Sequence, residues 1–181
     1  MPGPHHPARL ASAVAAWLLV ATLIACTRPA PVSPGEGDEA YRSVVSRRGL
    51  DGKPVGHDQA ASATVVIVFA SWCQACRKEL AMLSELVTEH PRVRVIGVNA
   101  FEDFEDLSNA AALEEFLGTN HPWLTVVRGD DQLLRSLGGV SKIPTLFVFD
   151  AHGAAVKVYR PERRTPPGKK ELMRVLTGLH G

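Results

Sequence analysis

The chain has 181 residues, of which 45% are apolar, 22% are charged and 6% are aromatic, so it suits one globular domain of ordinary size with additional segments. Lys and Arg number 20 and Asp and Glu number 19, so the formal net charge is +1, and the charges are interspersed rather than clustered. This balance gives no electrostatic reason to expect a nucleic-acid partner, and the length does not favour a second full domain.

The first 25 residues differ in composition from the rest of the chain. Arg9 precedes an uncharged apolar stretch over residues 10–25, which is short for a stable membrane span and typical of a signal peptide. The stretch ends in Leu23-Ile24-Ala25-Cys26, which resembles a bacterial lipobox. This resemblance implies a lipoprotein-type signal over residues 1–25 and a lipidated Cys26 that anchors the chain to a membrane on the periplasmic side of a bacterial cell envelope. An ordinary cleaved signal or an anchor helix, with Cys26 incidental, is the alternative.

Residues 26–40 are rich in proline and glycine, which favour flexible backbone and contribute little to a core. We interpret this segment as a flexible tether and expect the folded domain to span residues 41–181. At its start, Ser43–Ser46 and Pro54-Val55 flank the turn signal Asp51-Gly52. This pattern predicts a short N-terminal hairpin.

Beyond the hairpin, strand and helix signals alternate. The apolar, β-branched run over residues 64–70 predicts a strand buried on both faces of a sheet. Apolar residues at three- and four-residue spacing then predict an amphipathic helix from Gln74 to about His90. The segments that follow predict, in chain order, strand 93–98, helix 109–117, strand 123–127, helix 130–137, strand 141–149, strand 155–159 and helix 169–179. This order implies an α/β class with a central mixed β-sheet flanked by helices, as in the thioredoxin fold.

The cysteines are Cys26, Cys73 and Cys76. With Cys26 assigned to lipid, the other two form a C-x-x-C pair, which occurs both in redox-active sites and as half of a zinc site. Zinc needs further Cys or His ligands at suitable spacing. The histidines beyond the signal are scattered singly, and we expect most of them at the surface: they are at positions 57, 90, 121, 152 and 180. We therefore expect no metal, and we interpret the pair as chemical rather than structural.

The position of the pair between a buried strand and a helix predicts different roles for its two thiols. Cys73 lies near the helix N-cap, where unpaired amides and the helix dipole favour a thiolate, so it is the predicted nucleophile. Cys76 lies one turn inside the helix, shielded from substrate, and is the predicted resolving thiol. Attack by the Cys73 thiolate on a partner disulfide gives a mixed disulfide, which Cys76 resolves; the reverse steps oxidise a partner. This cycle needs no cofactor besides the redox-active disulfide.

Two motifs in this sequence resemble the TlpA/ResA-like branch of the thioredoxins. They are Val68-Phe-Ala-Ser-Trp-Cys-Gln-Ala-Cys-Arg-Lys-Glu79 and Gly139-Val-Ser-Lys-Ile-Pro-Thr145, and the resemblance extends over roughly residues 41–179. It implies that the helix at 109–117 belongs to an insertion in the basic fold. It also implies that Pro144 is a cis-proline facing the disulfide and offering backbone to an extended partner segment, whereas an ordinary strand-start proline is the alternative.

The same resemblance assigns roles to the residues around these motifs. Glu79 stands where that branch carries an acidic residue near the cysteines, so it is a candidate proton acceptor, with a solvated helix charge as the alternative. Trp72 is expected to pack beside the active site and to contact partners, or simply to pack at the strand end. Ile143 and Thr145 flank Pro144 and are expected to share its binding surface.

The resemblance implies an exported, membrane-tethered thiol:disulfide oxidoreductase that reduces disulfides of exported proteins, with cytochrome c precursors as a candidate client and a membrane protein as electron donor. Ile143 before Pro144 resembles reducing thioredoxins. The direction stays open, because it depends on this one residue. Gln74-Ala75 lacks the frequent proline, which leaves the redox potential open, and Ile67 replaces the buried Asp of cytosolic thioredoxins, which leaves Glu79 as the nearest candidate proton acceptor. A disulfide oxidase or isomerase and a copper-binding carrier remain alternatives. A peroxiredoxin-like peroxidase is disfavoured, since its activating Thr or Ser pattern is absent around Cys73.

Overall fold

The computed structural model of the chain describes residues 1, 3, 34–103, 110–161 and 166–180. The apolar stretch of the predicted signal, Cys26 and the first part of the predicted tether lie outside the described residues. Within the described part of the chain, no helix is long and apolar enough to span a membrane.

The helices, in chain order, are α1 (Pro34–Val45), α2 (Gln74–Glu89), α3 (Ala110–Asn120), α4 (Asp131–Ser136) and α5 (Lys169–Thr177). The strands are β1 (Ala63–Phe69), β2 (Val93–Asn99), β3 (Thr125–Arg128), β4 (Thr145–Asp150) and β5 (Ala155–Tyr159). A 3-10 turn, Gly178–His180, follows α5. Apart from α1, the order of the elements is the one that the sequence predicts.

The strands of the described residues form a five-stranded mixed sheet in the order β3-β2-β1-β4-β5. β2 runs parallel to both β1 and β3, whereas β4 is antiparallel to both β1 and β5. Helices cover both faces of this sheet. The predicted α/β class with a central mixed sheet is therefore confirmed, in the strand order of the thioredoxin fold.

β1 is the central strand and is buried along its whole length. Val65, Ile67 and Phe69 belong to a core cluster shared with leucines of α2 and α5. Val66 and Val68 belong to a second cluster shared with apolar residues of α1 and α4. Successive strand residues point to opposite faces, so a continuous apolar run supplies both clusters. This packing fixes the end of β1 from which the C-x-x-C segment continues.

The prediction of a strand at Ser43–Ser46, the first arm of the N-terminal hairpin, is wrong. Most of Ser43–Ser46 belongs to α1, which ends at Val45. Ala40, Tyr41 and Val44 recur at helical spacing and are all buried in the core on one face of the sheet. Burial of this helical face outweighs the strand preference of the β-branched residues, which depends strongly on context.

The turn of that hairpin is present, with an isolated antiparallel bridge in place of two paired strands. Gly52 adopts a left-handed conformation with φ +77°, and Arg48 and Pro54 form an antiparallel bridge on either side of it. The structure also places the start of α1 at Pro34, so the last part of the predicted tether over residues 26–40 is helical.

Candidate active site

The disulfide lies where β1 gives way to α2. Cys73 and Cys76 are bonded through sulfur, with their Cα atoms 5.2 Å apart. Cys73 is the N-cap of α2, with φ −75° and ψ 106°, and its Sγ accepts a hydrogen bond from the Cys76 amide at 3.1 Å. After reduction, the unpaired amides of the first turn and the helix dipole favour a thiolate here. Cys73 therefore occupies the end of α2 that stabilises a negatively charged sulfur.

The two cysteines differ in their access to solvent. Cys73 retains 7% of its surface, whereas Cys76 is completely buried in the core cluster on the α2 face of the sheet. Both cysteines belong to the core cluster, and of the two Cys73 is the one with residual access to solvent. The arrangement suits attack on a partner by Cys73 and internal displacement by Cys76.

The turn that carries Cys73 is held by a buried carboxylate. The Ser71 amide donates a hydrogen bond to Glu102 Oε2 at 3.0 Å, and the Ser71 hydroxyl contacts Glu102 Oε1. The Asn99 side-chain amide donates to Glu102 Oε2 at 2.6 Å. Glu102 is 4% exposed, and Asn99 is completely buried. Glu102 belongs to an acidic loop in the sequence, and its burial is not predicted. The one signal in the sequence is its position shortly after a predicted strand.

Trp72 and Arg77 complete the packing around this turn. The Trp72 indole N–H donates to the Phe101 carbonyl at 2.9 Å, and its partly buried ring packs against the core cluster that contains both cysteines. Arg77 Nε donates to the Ser71 carbonyl at 2.9 Å, and its guanidinium lies 4.9 Å from the centroid of the Phe116 ring. The structure thus places Trp72 beside the disulfide, with its polar group bound to the loop after β2.

Glu79 lies on α2, one turn beyond Cys76. Its side chain is partly buried, and Oε2 is buried without a hydrogen-bond partner among the described residues. Removal from water disfavours the charged carboxylate and raises the pKa of Glu79 to about 7. Glu79 can therefore gain or lose a proton near neutral pH.

Pro144 precedes β4, which pairs with β1 so that Thr145 lies opposite Val68. The peptide bond between Ile143 and Pro144 is cis. This pairing brings Pro144 to the end of the sheet that carries the disulfide, and Ile143 packs against the cluster containing both cysteines. The Thr145 hydroxyl donates to the Lys142 carbonyl at 2.8 Å, so it is engaged within its own loop.

Among the described residues, no group of three or more His, Cys, Asp and Glu side chains is placed to hold a metal ion. Most of the scattered histidines are expected at the surface, but His121 is buried, with its ring edge-on to Phe116 and Trp123 at centroid distances of 4.7 and 6.0 Å. Burial and the charge of Arg77 lower the pKa of His121, which favours the neutral form of its ring. It contributes to packing near α3.

Comparison with known proteins agrees with this fold. A thioredoxin-like family model matches residues 62–155, the span that holds both cysteines, Glu102 and Pro144. The thiol:disulfide interchange protein DsbE of Xylella fastidiosa is 33% identical over 96 residues, which are 53% of this chain and 46% of that protein. The chain therefore spans about half the length of the DsbE relatives that it matches.

Two further proteins match a larger share of the chain. The sporulation thiol-disulfide oxidoreductase A of Bacillus subtilis is 23% identical over 131 residues, covering 71% of this chain and 78% of that protein. A solved thioredoxin-family structure from Chlorobium tepidum TLS superposes with a TM-score of 0.58 at 24% identity, covering 75% of this chain and 92% of that one, and it shares the fold. These relatives support the predicted resemblance to the TlpA/ResA-like branch. Since the family match covers more than half of the 181 residues, the chain belongs to the thioredoxin-like family.

Proposed function

We propose that this chain is a thiol:disulfide oxidoreductase that works through a dithiol–disulfide cycle of Cys73 and Cys76. The observation that carries the proposal is the disulfide at the N-cap of α2, in which Cys73 is 7% exposed and Cys76 is completely buried. The names of the DsbE and B. subtilis relatives, which describe thiol:disulfide interchange, support the same chemistry.

In the reducing direction, the Cys73 thiolate attacks one sulfur of a partner disulfide, forming a mixed disulfide and expelling the other partner sulfur as a thiolate that takes up a proton. The Cys76 thiol then loses its proton and attacks Cys73 Sγ. The partner leaves as a dithiol, and the Cys73–Cys76 disulfide forms again. Two electrons have passed from the chain to the partner, and a donor must return them before the next cycle.

Glu79 is the proposed acceptor for the proton of Cys76. The two residues are three positions apart on α2, which places them on the same face of the helix. The pKa of Glu79, about 7, makes its carboxylate a base of suitable strength near neutral pH. In the oxidising direction the same group returns the proton.

The proposed partner-binding surface consists of Trp72, Ile143, Pro144 and Thr145. Trp72 and Ile143 pack against the cluster that contains the disulfide, and Pro144 lies at the same end of the sheet. Because the Thr145 hydroxyl is engaged by Lys142, we assign Thr145 a role through its backbone rather than its side chain.

The proposed setting is the periplasmic side of a bacterial envelope, where the chain reduces exported proteins. This setting rests on the predicted signal over residues 1–25, the lipidated Cys26 and a tether that leads to the domain. Cytochrome c precursors are the proposed client by resemblance, and a membrane protein is the proposed electron donor.

Insulin reduction in the presence of dithiothreitol tests the activity. We expect residues 27–181 to accelerate precipitation of the insulin B chain, and we expect Cys73→Ser to abolish the acceleration because it removes the nucleophile. Ser46→Ala, a change on the opposite side of the sheet, serves as the matched control and should react like the parent. Absence of reduction by the parent, together with stoichiometric binding of copper, would favour the carrier instead.

A further inference from the structure

Glu102 is a buried carboxylate that the proposed thiol cycle does not use. Burying a carboxylate is unfavourable unless its oxygens accept hydrogen bonds. Here Oε2 accepts from the Ser71 amide at 3.0 Å and from the Asn99 side chain at 2.6 Å, while Oε1 contacts the Ser71 hydroxyl. Two of these three contacts are made to the residue two positions before Cys73.

The turn before Cys73 is consequently held from outside its own strand. Ser71 is bound to Glu102 through both its amide and its hydroxyl, and Trp72 is bound through its indole N–H to Phe101. Both acceptors belong to the loop that follows β2, some thirty positions further along the chain. This loop therefore helps to fix the path of the backbone into the N-cap of α2, together with Arg77, which donates to the Ser71 carbonyl.

The backbone at the start of this loop is anchored on both sides, to the end of β1 and to the residue that follows β3. The Ala100 amide donates to the Phe69 carbonyl at 2.9 Å, and the Gly129 amide donates to the Asn99 carbonyl at 2.7 Å. Gly129 permits this approach, because a Cβ there would lie 2.8 Å from Ala100 Cβ. Glu102 therefore follows a backbone segment that is hydrogen-bonded on both sides, at Asn99 and Ala100.

We propose that Glu102 is a positioning residue for Cys73, acting through Ser71 by hydrogen bonding rather than by charge. A negative charge near a thiol disfavours the thiolate, so a purely electrostatic role would oppose the reactivity of Cys73. Hydrogen bonds that fix the turn instead keep Cys73 aligned with the amides of the first turn of α2. This inference rests on the proposed role of Cys73 as the nucleophile.

Four variants separate these possibilities. Glu102→Gln removes the charge but retains a carbonyl for the Ser71 and Asn99 donors and an amide for the Ser71 hydroxyl. Glu102→Ala removes all three contacts, and Ser71→Ala removes one. Glu115→Ala, which deletes an exposed carboxylate on α3, is the matched control.

The measurement is the pH dependence of alkylation of the reduced protein by iodoacetamide, with the modified cysteine assigned by mass spectrometry and the fold checked by circular dichroism.

We expect Glu102→Ala to shift the alkylation midpoint of Cys73 to higher pH and to slow insulin reduction about tenfold, since a displaced nucleophile loses alignment. Glu102→Gln and Glu115→Ala should stay within about twofold of the parent. Ser71→Ala should fall between them and Glu102→Ala. Glu79 and Arg77 are common to all variants and do not contribute to the differences.

An alkylation profile of folded Glu102→Ala that matches the parent would overturn the proposal. A shift of the alkylation midpoint in Glu102→Gln as large as that in Glu102→Ala would also overturn it, because it would indicate that the charge of Glu102 matters. If Glu102→Ala does not fold, Ser71→Ala decides, and a parent-like profile for it overturns the proposal. A parent protein in which Cys73 reacts no faster than Cys76 would instead contradict the proposed function.

Discussion

Cys73 and Cys76 are chemically the same residue, but their surroundings differ in the way that the proposed roles require. Cys73 caps α2 and keeps some access to solvent, whereas Cys76 is enclosed by the core. Glu79 lies one turn beyond Cys76 with one carboxylate oxygen buried and unpaired among the described residues. At this scale the reactivity of the site depends on desolvation and on the start of one helix.

The raised pKa of Glu79 predicts a pH dependence of stability in the oxidised protein. The folded-state pKa of about 7 exceeds the ordinary value of 4.5, so the folded state holds the proton more tightly. The stabilising contribution of Glu79 is therefore fully present below pH 4.5 and is lost as pH rises through 7. Glu79→Gln removes this dependence, so it should be more stable than the parent at pH 8, by on the order of 1 kcal/mol after allowance for partial exposure, and similar at pH 4.

Urea unfolding of both oxidised proteins at pH 4 and pH 8 measures this difference. Glu114→Gln, which changes an exposed carboxylate on α3, is the control and should show no such gain at pH 8. A stability difference between Glu79→Gln and the parent that is equal at both pH values would contradict the assigned burial.

The sequence predicts part of this site directly and misses part of it. Cys73, Cys76 and Pro144 stand in local motifs whose spacing is visible in the chain. In the sequence, nothing distinguishes Glu102 from the other acidic residues of its loop. Its burial depends on contact with Ser71, which is 31 positions away. No local periodicity encodes such a contact.

At the scale of elements, local patterns predict β1 and α2 to within about one residue, because each pattern is strong over its whole length. α1 is different, since the stabilisation of most helices comes from packing of an apolar face. Its Tyr41 hydroxyl bonds to His57 Nδ1 at 2.8 Å, and its ring lies 5.4 Å from that of Phe149. These contacts become apparent once the sheet is assembled.

The packing of α1 can be tested at Gly153, in the turn between β4 and β5. Gly153 has φ +84°, and a Cβ there would fall on the Tyr41 ring. Gly52 has a similar φ of +77° with open space around it, so it is a matched control. We expect Gly52→Ala to lower the free energy of unfolding by about 1 kcal/mol from backbone strain. Gly153→Ala should lower it by about 2 to 4 kcal/mol, because strain and overlap add.

Chemical denaturation followed by circular dichroism measures both changes. Equal losses for the two glycine variants would contradict the packing of α1 against this turn.

At the scale of the whole domain, the sheet brings three separate segments to one end. β1 and β2 are parallel, so the turn after β1 and the loop after β2 meet at the same edge of the sheet. β4 is antiparallel to β1 and starts at that edge, which adds Pro144. Cys73, Glu102 and Pro144 are thus placed by topology. Export and lipidation at Cys26 stay predictions of the sequence.

Trapped mixed disulfides test the assignment of Cys73 as nucleophile most directly. In Cys76→Ser the resolving thiol is absent, so adducts between Cys73 and partner proteins should persist in the native host and be identified by mass spectrometry. In Cys73→Ser the other cysteine of the pair, Cys76, is completely buried, so adducts through the C-x-x-C pair should be absent. Adducts of equal abundance on both variants, or none that depend on Cys73, would contradict the assignment.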